Sequence, residues 1–283
     1  MDLKEAAKKI IPSPLLRFRL IIKEKIELNR LKKRSCEQGL LAGIDNVKLN
    51  DIFHAAEYDV EWQTIGKEIS QFNITDKASG VNYGDRRAIY YLIRHLKPES
   101  VLEVGTHIGA STSHIAAALR QAKQQNGKEV SLTTVDIVNV NDSQNGPWRT
   151  SGSAYAPIDM VKKLDCDNFV QFIENNSIDF LTNCQEKYDL IFLDGDHSAK
   201  TVYQEVPAAL KLLNSGGYIL LHDYFPQHKP LWSDGVLIPG PHMAVSRLQS
   251  EGANIKVLPF GALPWSTKLD SNVTSLALLG KTE

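Results

Sequence analysis

The stretch Ser100–Ser113, SVLEVGTHIGASTS, constrains this chain more than any other. Val101, Leu102 and Val104 read as a short buried strand, and a helix with Ile115 to Leu119 on its apolar face comes within a few residues. Gly105 and Gly109 bracket the turn between them. Glycine lets a backbone bend sharply and lets a ligand lie close against it. The start of the helix presents backbone N–H groups with no intrahelical partner, and Ser111 and Thr112 set hydroxyls beside them. At the carboxyl end of a parallel strand, such a turn is a cradle for a nucleotide-type ligand. An ordinary strand–helix turn that binds nothing could carry the same glycines, so the stretch gains meaning from the residues C-terminal to it.

The alternation of strand and helix continues. Strands are expected at Val101–Val104, Ser131–Val135, Phe169–Ile173, Leu190–Leu193 and Tyr218–Leu221, with helices between them, among them Ser111–Gln124 and Val202–Leu213. Near-continuous apolar strands separated by helices predict a parallel sheet covered on both faces. A helix near His242–Ser250 and two last strands, Ile255–Pro259 and Ser275–Leu279, come next as a hairpin-like return. Ahead of the sheet, residues 1–35 read as a basic helical segment interrupted at Pro12 to Pro14. Residues 36–97 read as a helical lead-in, with helices at Asn50–Glu68 and Arg86–His95, and residues 98–283 as the main domain.

Polar residues cluster where these strands end. Asp136 closes the second strand in TTVDI, where an acidic side chain can accept hydrogen bonds from both hydroxyls of a ribose. Asn176 and Ser177 come after the third strand, and Ser177 also suits the N-cap of a helix beginning at Ile178. In YDLIFLDGDHS (Tyr188–Ser198) an apolar strand runs straight into Asp194, Gly195, Asp196 and His197. In GGYILLHDYF (Gly216–Phe225) the fifth strand ends at His222–Asp223. If the fourth and fifth strands are neighbours, Asp194 and His222–Asp223 converge, and carboxylates with an imidazole and water can hold a divalent cation. Solvated helix-capping residues are the plain alternative for each site taken singly.

The dinucleotide fingerprint G-x-G-x-x-G fails here, because His107 and Ala110 stand at its second and third glycines. The pattern E-x-G-x-x-x-G of Glu103, Gly105 and Gly109 instead resembles motif I of class I S-adenosylmethionine (SAM) methyltransferases. The resemblance implies an α/β fold: a Rossmann-like, seven-stranded, mostly parallel sheet with helices on both faces and an N-terminal helical extension. It implies that SAM is held by Glu103, Gly105, Thr106, Gly109 and Ser111 of the turn, by Asp136 and Ile137, by Ser177 and by Asp194. It also implies that the lead-in closes over SAM, with Tyr83 and Gly84 touching it. Over about residues 80–225 the order of motifs resembles bacterial O-methyltransferases of sugars and natural products, including macrolide-sugar and aminocoumarin-sugar enzymes. Carried over from them, Asp194, His222 and Asp223 are the metal site, for Mg²⁺ or Mn²⁺, and His197 or else Asp196 is the general base. One departure stands out: the late acidic pair of that family is His222–Asp223 here, and an imidazole ligand favours Mn²⁺ or another transition metal; the departure also leaves a site without metal as an alternative. The implied reaction is metal-assisted transfer of a methyl group to a hydroxyl of a sugar, glycan precursor or glycosylated natural product. The alternatives are a phenol-like acceptor and a non-catalytic nucleotide-binding module; an NAD(P) oxidoreductase lacks both its second glycine and a Tyr-x-x-x-Lys pair at a usable place. Two loops are expected to meet the acceptor, Val138–Pro157 with Trp148, Arg149 and Tyr155, and Phe225–Pro241 with His228, Lys229, Trp232 and Asp234.

Charge and cysteine content narrow the partners. The net charge is −1, which gives no global attraction to nucleic acid. It conceals a basic start, since residues 1–35 hold eleven Lys and Arg against four Asp and Glu. That segment reads either as a peripheral membrane or partner surface or as a solvated helix packed on its own domain. Cys36, Cys166 and Cys184 have no paired spacing, which suits a reducing compartment and a cytoplasmic protein. The expected partners are a small-molecule or glycan acceptor and, by family precedent, further copies of the chain.

Overall fold

The computed structural model describes residues 13–37, 39–76 and 80–282. Seven strands, β1 (Ser100–Val104), β2 (Ser131–Asp136), β3 (Val170–Glu174), β4 (Tyr188–Leu193), β5 (Leu213–Leu221), β6 (Lys256–Pro259) and β7 (Ala277–Gly280), form one sheet. Their order is β3–β2–β1–β4–β5–β7–β6. The first five run parallel, and β7 lies antiparallel between β5 and β6. The protein therefore has the Rossmann-like, mostly parallel α/β fold expected of it. β4 and β5 are neighbours, which brings their carboxyl ends together. β5 starts earlier than its apolar run suggests, because Leu213 pairs with Tyr188 ahead of a register shift and Gly217 lies close against the Asp189 carbonyl.

The helices are α1 (Ser13–Asn29), α2 (Leu49–Phe53), α3 (Ala56–Ser70), α4 (Tyr83–Leu96), α5 (Ala110–Asn126), α6 (Pro147–Thr150), α7 (Pro157–Lys163), α8 (Ser177–Asn183), α9 (Ala199–Lys211) and α10 (Gly240–Ser250). Side chains alternate across a strand, so each strand feeds two cores. Val101, Leu132, Leu190, Phe192 and Leu278 pack with α3, α4 and α5 on one face. Leu102, Val104, Ile191, Leu193 and Leu279 pack with α9 and α10 on the other. The interruption read at Pro12, and everything before it, lies outside the described residues; Pro14 sits in the first turn of α1, where proline is tolerated. The single helix expected over Asn50–Glu68 is two, broken at His54–Ala55, where Ala55 is extended. The break turns Phe53 toward Phe260 and Trp265, while Trp62 packs on Tyr90 and Tyr91 of α4. Among the described residues no helix is long and apolar enough to cross a membrane.

Candidate active site

A cavity of 570 Å³ opens at the carboxyl ends of β1, β2 and β4. Gly105, Thr106 and Ser111 of the turn line it, as do Asp136 and Ile137 after β2. Asn176 and Ser177 close one side, and Asp194, Asp196 and His197 the other. Residues far apart in the chain thus share one wall because their strands are adjacent.

Glu103 and Gly109 are not on that wall. Glu103 is fully buried beneath the turn and accepts hydrogen bonds from Ser111 Oγ at 2.5 Å, Thr112 Oγ1 at 2.5 Å and Thr134 Oγ1 at 2.6 Å. Burial pushes its carboxyl up to about 7, against the pull of the three hydroxyls. Its structural role is to brace the turn, tying β1, the start of α5 and β2 together. The turn glycines also have neighbours other than a ligand. Gly105 has φ +100°, and a Cβ there would stand 2.3 Å from the Asp194 carbonyl oxygen. A Cβ on Gly109, φ +78°, would stand 2.9 Å from Pro157 Cβ. The turn is tight because β4 and α7 press on it. His107, with φ +48°, donates its backbone N–H to Asp136 Oδ2 at 2.8 Å, which pins the turn to the end of β2.

Three expectations shift. The N-cap of α8 is Asn176, whose side chain accepts from the N–H groups of Ile178 and Asp179, and Ser177 is already in the helix, where it lines the cavity. From the lead-in, Gly80 and Val81 line the cavity rather than Tyr83 and Gly84. Gly84 is sealed by Ser266 and Thr267, and the Tyr83 ring packs toward Trp62 and His114. In the long loops, Trp232 is buried with Nε1 donating to the Val273 carbonyl, and Tyr155 packs on Phe72. Neither reaches the cavity, nor do Trp148, Arg149, His228, Lys229 or Asp234.

Beside the cavity, β4 and β5 bring four ionisable side chains together. Asp194 Oδ1 lies 2.8 Å from His222 Nδ1 and 3.8 Å from His197 Nε2. Asp223 Oδ2 lies 3.3 Å from His197 Nε2, and Asp223 Oδ1 lies 3.6 Å from His222 Nδ1. Asp223 holds a left-handed backbone, φ +53°, and accepts from Ser275 Oγ at 3.3 Å. Burial opposes ionisation of His222, yet the carboxylates of Asp194 and Asp223 hold its imidazolium well above the usual histidine range. His222 Nδ1 is buried and out of hydrogen-bond alignment with every neighbour, including Asp194. An unsatisfied ring nitrogen among carboxylates is a donor set that fits a divalent cation, and ligand atoms of Asp194, His197 and His222 fall within 4.8 Å of one another.

Two buried carboxyls at the site escaped the sequence reading. Asp85, fully buried in the first turn of α4, places Oδ2 3.4 Å from His222 Nε2 and accepts from Asn82 Nδ2 at 2.7 Å. The Asn82-x-x-Asp85 spacing signals a helix cap, and the cap is present, but nothing in it signals a histidine far along the chain. Glu205 on α9 stands behind Gly195, where burial pushes it up to about 7; its apolar surroundings in the sequence gave no sign of it.

Residues 102–224 match the family model of a methyltransferase domain. Known structures share the architecture of this chain. The O-methyltransferase TomG of Streptomyces achromogenes, involved in tomaymycin synthesis and solved with SAM, matches at 15% identity and TM-score 0.51, over 80% of this chain and 96% of that one. The SAH-bound methyltransferase PaMTH1 of Podospora anserina matches at 17% identity and TM-score 0.51, over 82% and 97%. An O-methyltransferase of Bacillus cereus, in complex with SAH, matches at 13% identity and TM-score 0.50, over 83% and 100%. At these identities the likeness is one of fold. No curated protein matches the chain. The match to the methyltransferase domain spans the turn, Asp136, the Asp194–His197 segment and the His222–Asp223 pair.

Proposed function

We propose that the protein is a SAM-dependent O-methyltransferase, assisted by a divalent metal, whose acceptor is a hydroxyl of a sugar, glycan precursor or glycosylated natural product. The observation that carries this reading is the shared wall: the turn and Asp136 meet the Asp194–His197 segment in one cavity, beside a half-buried cluster fit for a cation. The motif resemblance and the SAM- and SAH-bound enzymes of the same fold support SAM as the ligand. Bound SAM supplies an activated methyl group, so the protein's part is mainly position and orientation.

In this reading the turn holds the amino-acid end of SAM and Asp136 accepts from its ribose. Asp194, Asp223 and His222 Nδ1 hold the metal, Mg²⁺ or Mn²⁺. Asp85, at His222 Nε2, fixes the tautomer that leaves Nδ1 free to ligate. A divalent cation in that place acts as a Lewis acid toward an acceptor hydroxyl. His197 Nε2 takes the hydroxyl proton, and Asp223 at 3.3 Å stabilises the resulting imidazolium. Asp196 is the poorer base. Ser198 N–H at 2.9 Å, Ser198 Oγ at 3.0 Å and Thr201 Oγ1 at 2.7 Å all donate to it, and these bonds outweigh burial to hold its carboxyl below the usual range.

Titration calorimetry with SAM, SAH and NAD, with and without Mn²⁺, tests the cofactor, and transfer of labelled methyl from SAM to nucleotide sugars and glycosides tests the acceptor. Silence toward SAM and SAH in every condition would sink the reading. Asp136→Ala should weaken SAM binding by roughly 10–100-fold, the loss of charge-assisted hydrogen bonds; unchanged affinity would place the ribose elsewhere. His197→Ala should lower kcat by about 10²–10⁴-fold, with partial rescue by added imidazole. Near-native turnover in that variant would remove His197 from the chemistry.

A further inference from the structure

We propose that the outer face of α1 docks the protein onto anionic membranes. Among the described residues, α1 is fastened along one side. Glu24 is buried and accepts from the Ala199 N–H at 2.7 Å. Leu28 is buried in the core shared with α9 and α10, and Arg247 donates to the Leu28 and Leu31 carbonyls. The other side carries Leu15, Phe18, Ile22 and Ile26, whose spacing of three, four and four residues sets them in one stripe. They are 53%, 60%, 40% and 50% exposed. Four of the ten large apolar side chains exposed among the described residues thus stand on this one helix face.

The charges around the stripe say what covers it. At 3.6 residues per turn, Arg19 and Lys23 border one edge and Lys25 the other, and all three are exposed. The two acids of the helix face away: Glu24 is buried against Ala199, and Glu27 Oε2 stands 3.8 Å from Lys200 Nζ. Among the described residues, the outer face of α1 is therefore apolar, edged with cations and without an exposed carboxylate. This is the composition of a helix that lies in the headgroup plane, its apolar side chains in the acyl boundary and its cations level with the phosphates. A two-fold pairing of copies suits it less, because an isologous contact would set the cationic edges against each other. The sequence shows no clean single stripe because α1 has two apolar sides, one for the core and one left free.

The test is flotation of the full chain with phosphatidylcholine vesicles, with and without about 30 mol % phosphatidylglycerol, at low and high salt. The expected result is recovery with the anionic vesicles, about tenfold weaker partition onto phosphatidylcholine alone, and weakening by salt. The double variant Phe18→Glu, Ile22→Glu should lose about tenfold in partition while keeping thermal stability and cofactor affinity, since both side chains are exposed. Failure of the full chain to float with anionic vesicles would overturn the proposal, as would equal flotation of the variant. Self-association that the variant abolishes, without vesicle binding, would also overturn it and assign the stripe to a second copy.

Discussion

Asp194→Ala is expected to slow methyl transfer by about 10³-fold and to leave SAM affinity within about threefold. The carboxylate and the backbone of Asp194 have different jobs. Its N–H donates to the Val104 carbonyl at 2.9 Å and its own carbonyl lies against Gly105, so the main chain shapes the cradle whatever the side chain is. The carboxylate points to His222 at 2.8 Å and His197 at 3.8 Å. Removing it leaves His222 buried between Asp85 and Asp223 and takes one ligand from the proposed metal site. Mn²⁺ affinity, followed by electron paramagnetic resonance, should fall by more than about tenfold together with the rate. Single-turnover transfer and calorimetry with SAH separate the two functions. Undiminished turnover would remove the metal-site proposal, whereas loss of SAH binding would move Asp194 into the cofactor cradle itself.

Gly105→Ala should cost the fold roughly 3–5 kcal/mol, combining a left-handed backbone imposed on alanine with a methyl group driven into the Asp194 carbonyl. That corresponds to a fall in Tm of roughly 5–8 °C for a chain of this size. Gly127→Ala is the matched control. Gly127 also has positive φ, +72°, but nothing lies within 4 Å of a Cβ there, so only the backbone cost of about 1–2 kcal/mol is expected. Thermal unfolding of the two variants side by side measures the steric part by difference. Equal losses would mean that β4 moves aside, and the turn would then be looser than its packing implies.

Much of the fold was legible in the sequence because buried parallel strands are written as local apolar runs. Val101–Val104 and Leu190–Leu193 announce themselves without their partners. The polar strand-end residues were legible for the same reason, since Asp136, Asp194 and the His222–Asp223 pair each come at the end of a strand. What local pattern could not carry was relation between distant segments. Asp85 and His222 are 137 residues apart and meet only through the packing of α4 beside β5. Glu103 fits a cofactor motif in the sequence, while three hydroxyls from two other elements show its bracing role. Trp232 and Tyr155 looked like loop residues awaiting a substrate, yet they anchor their loops. The break at His54–Ala55 was invisible because apolar spacing continues across it while the direction of burial changes.

The insertion of β7 between β5 and β6 gives the order of synthesis a chemical consequence. A growing chain emerges from the ribosome with its N-terminal part first, and early segments can fold before late ones exist. β1, β2 and β4, which frame the cavity, are complete by Leu193. β6 pairs only with β7, and the Tyr224 N–H is held by the Ser275 carbonyl while Ser275 Oγ supports Asp223. A nascent chain can therefore shape its cradle while still tethered, but the loop bearing Asp223 is not locked until residue 275 has come free. The support of Asp223 is thus completed later in synthesis than the cradle is.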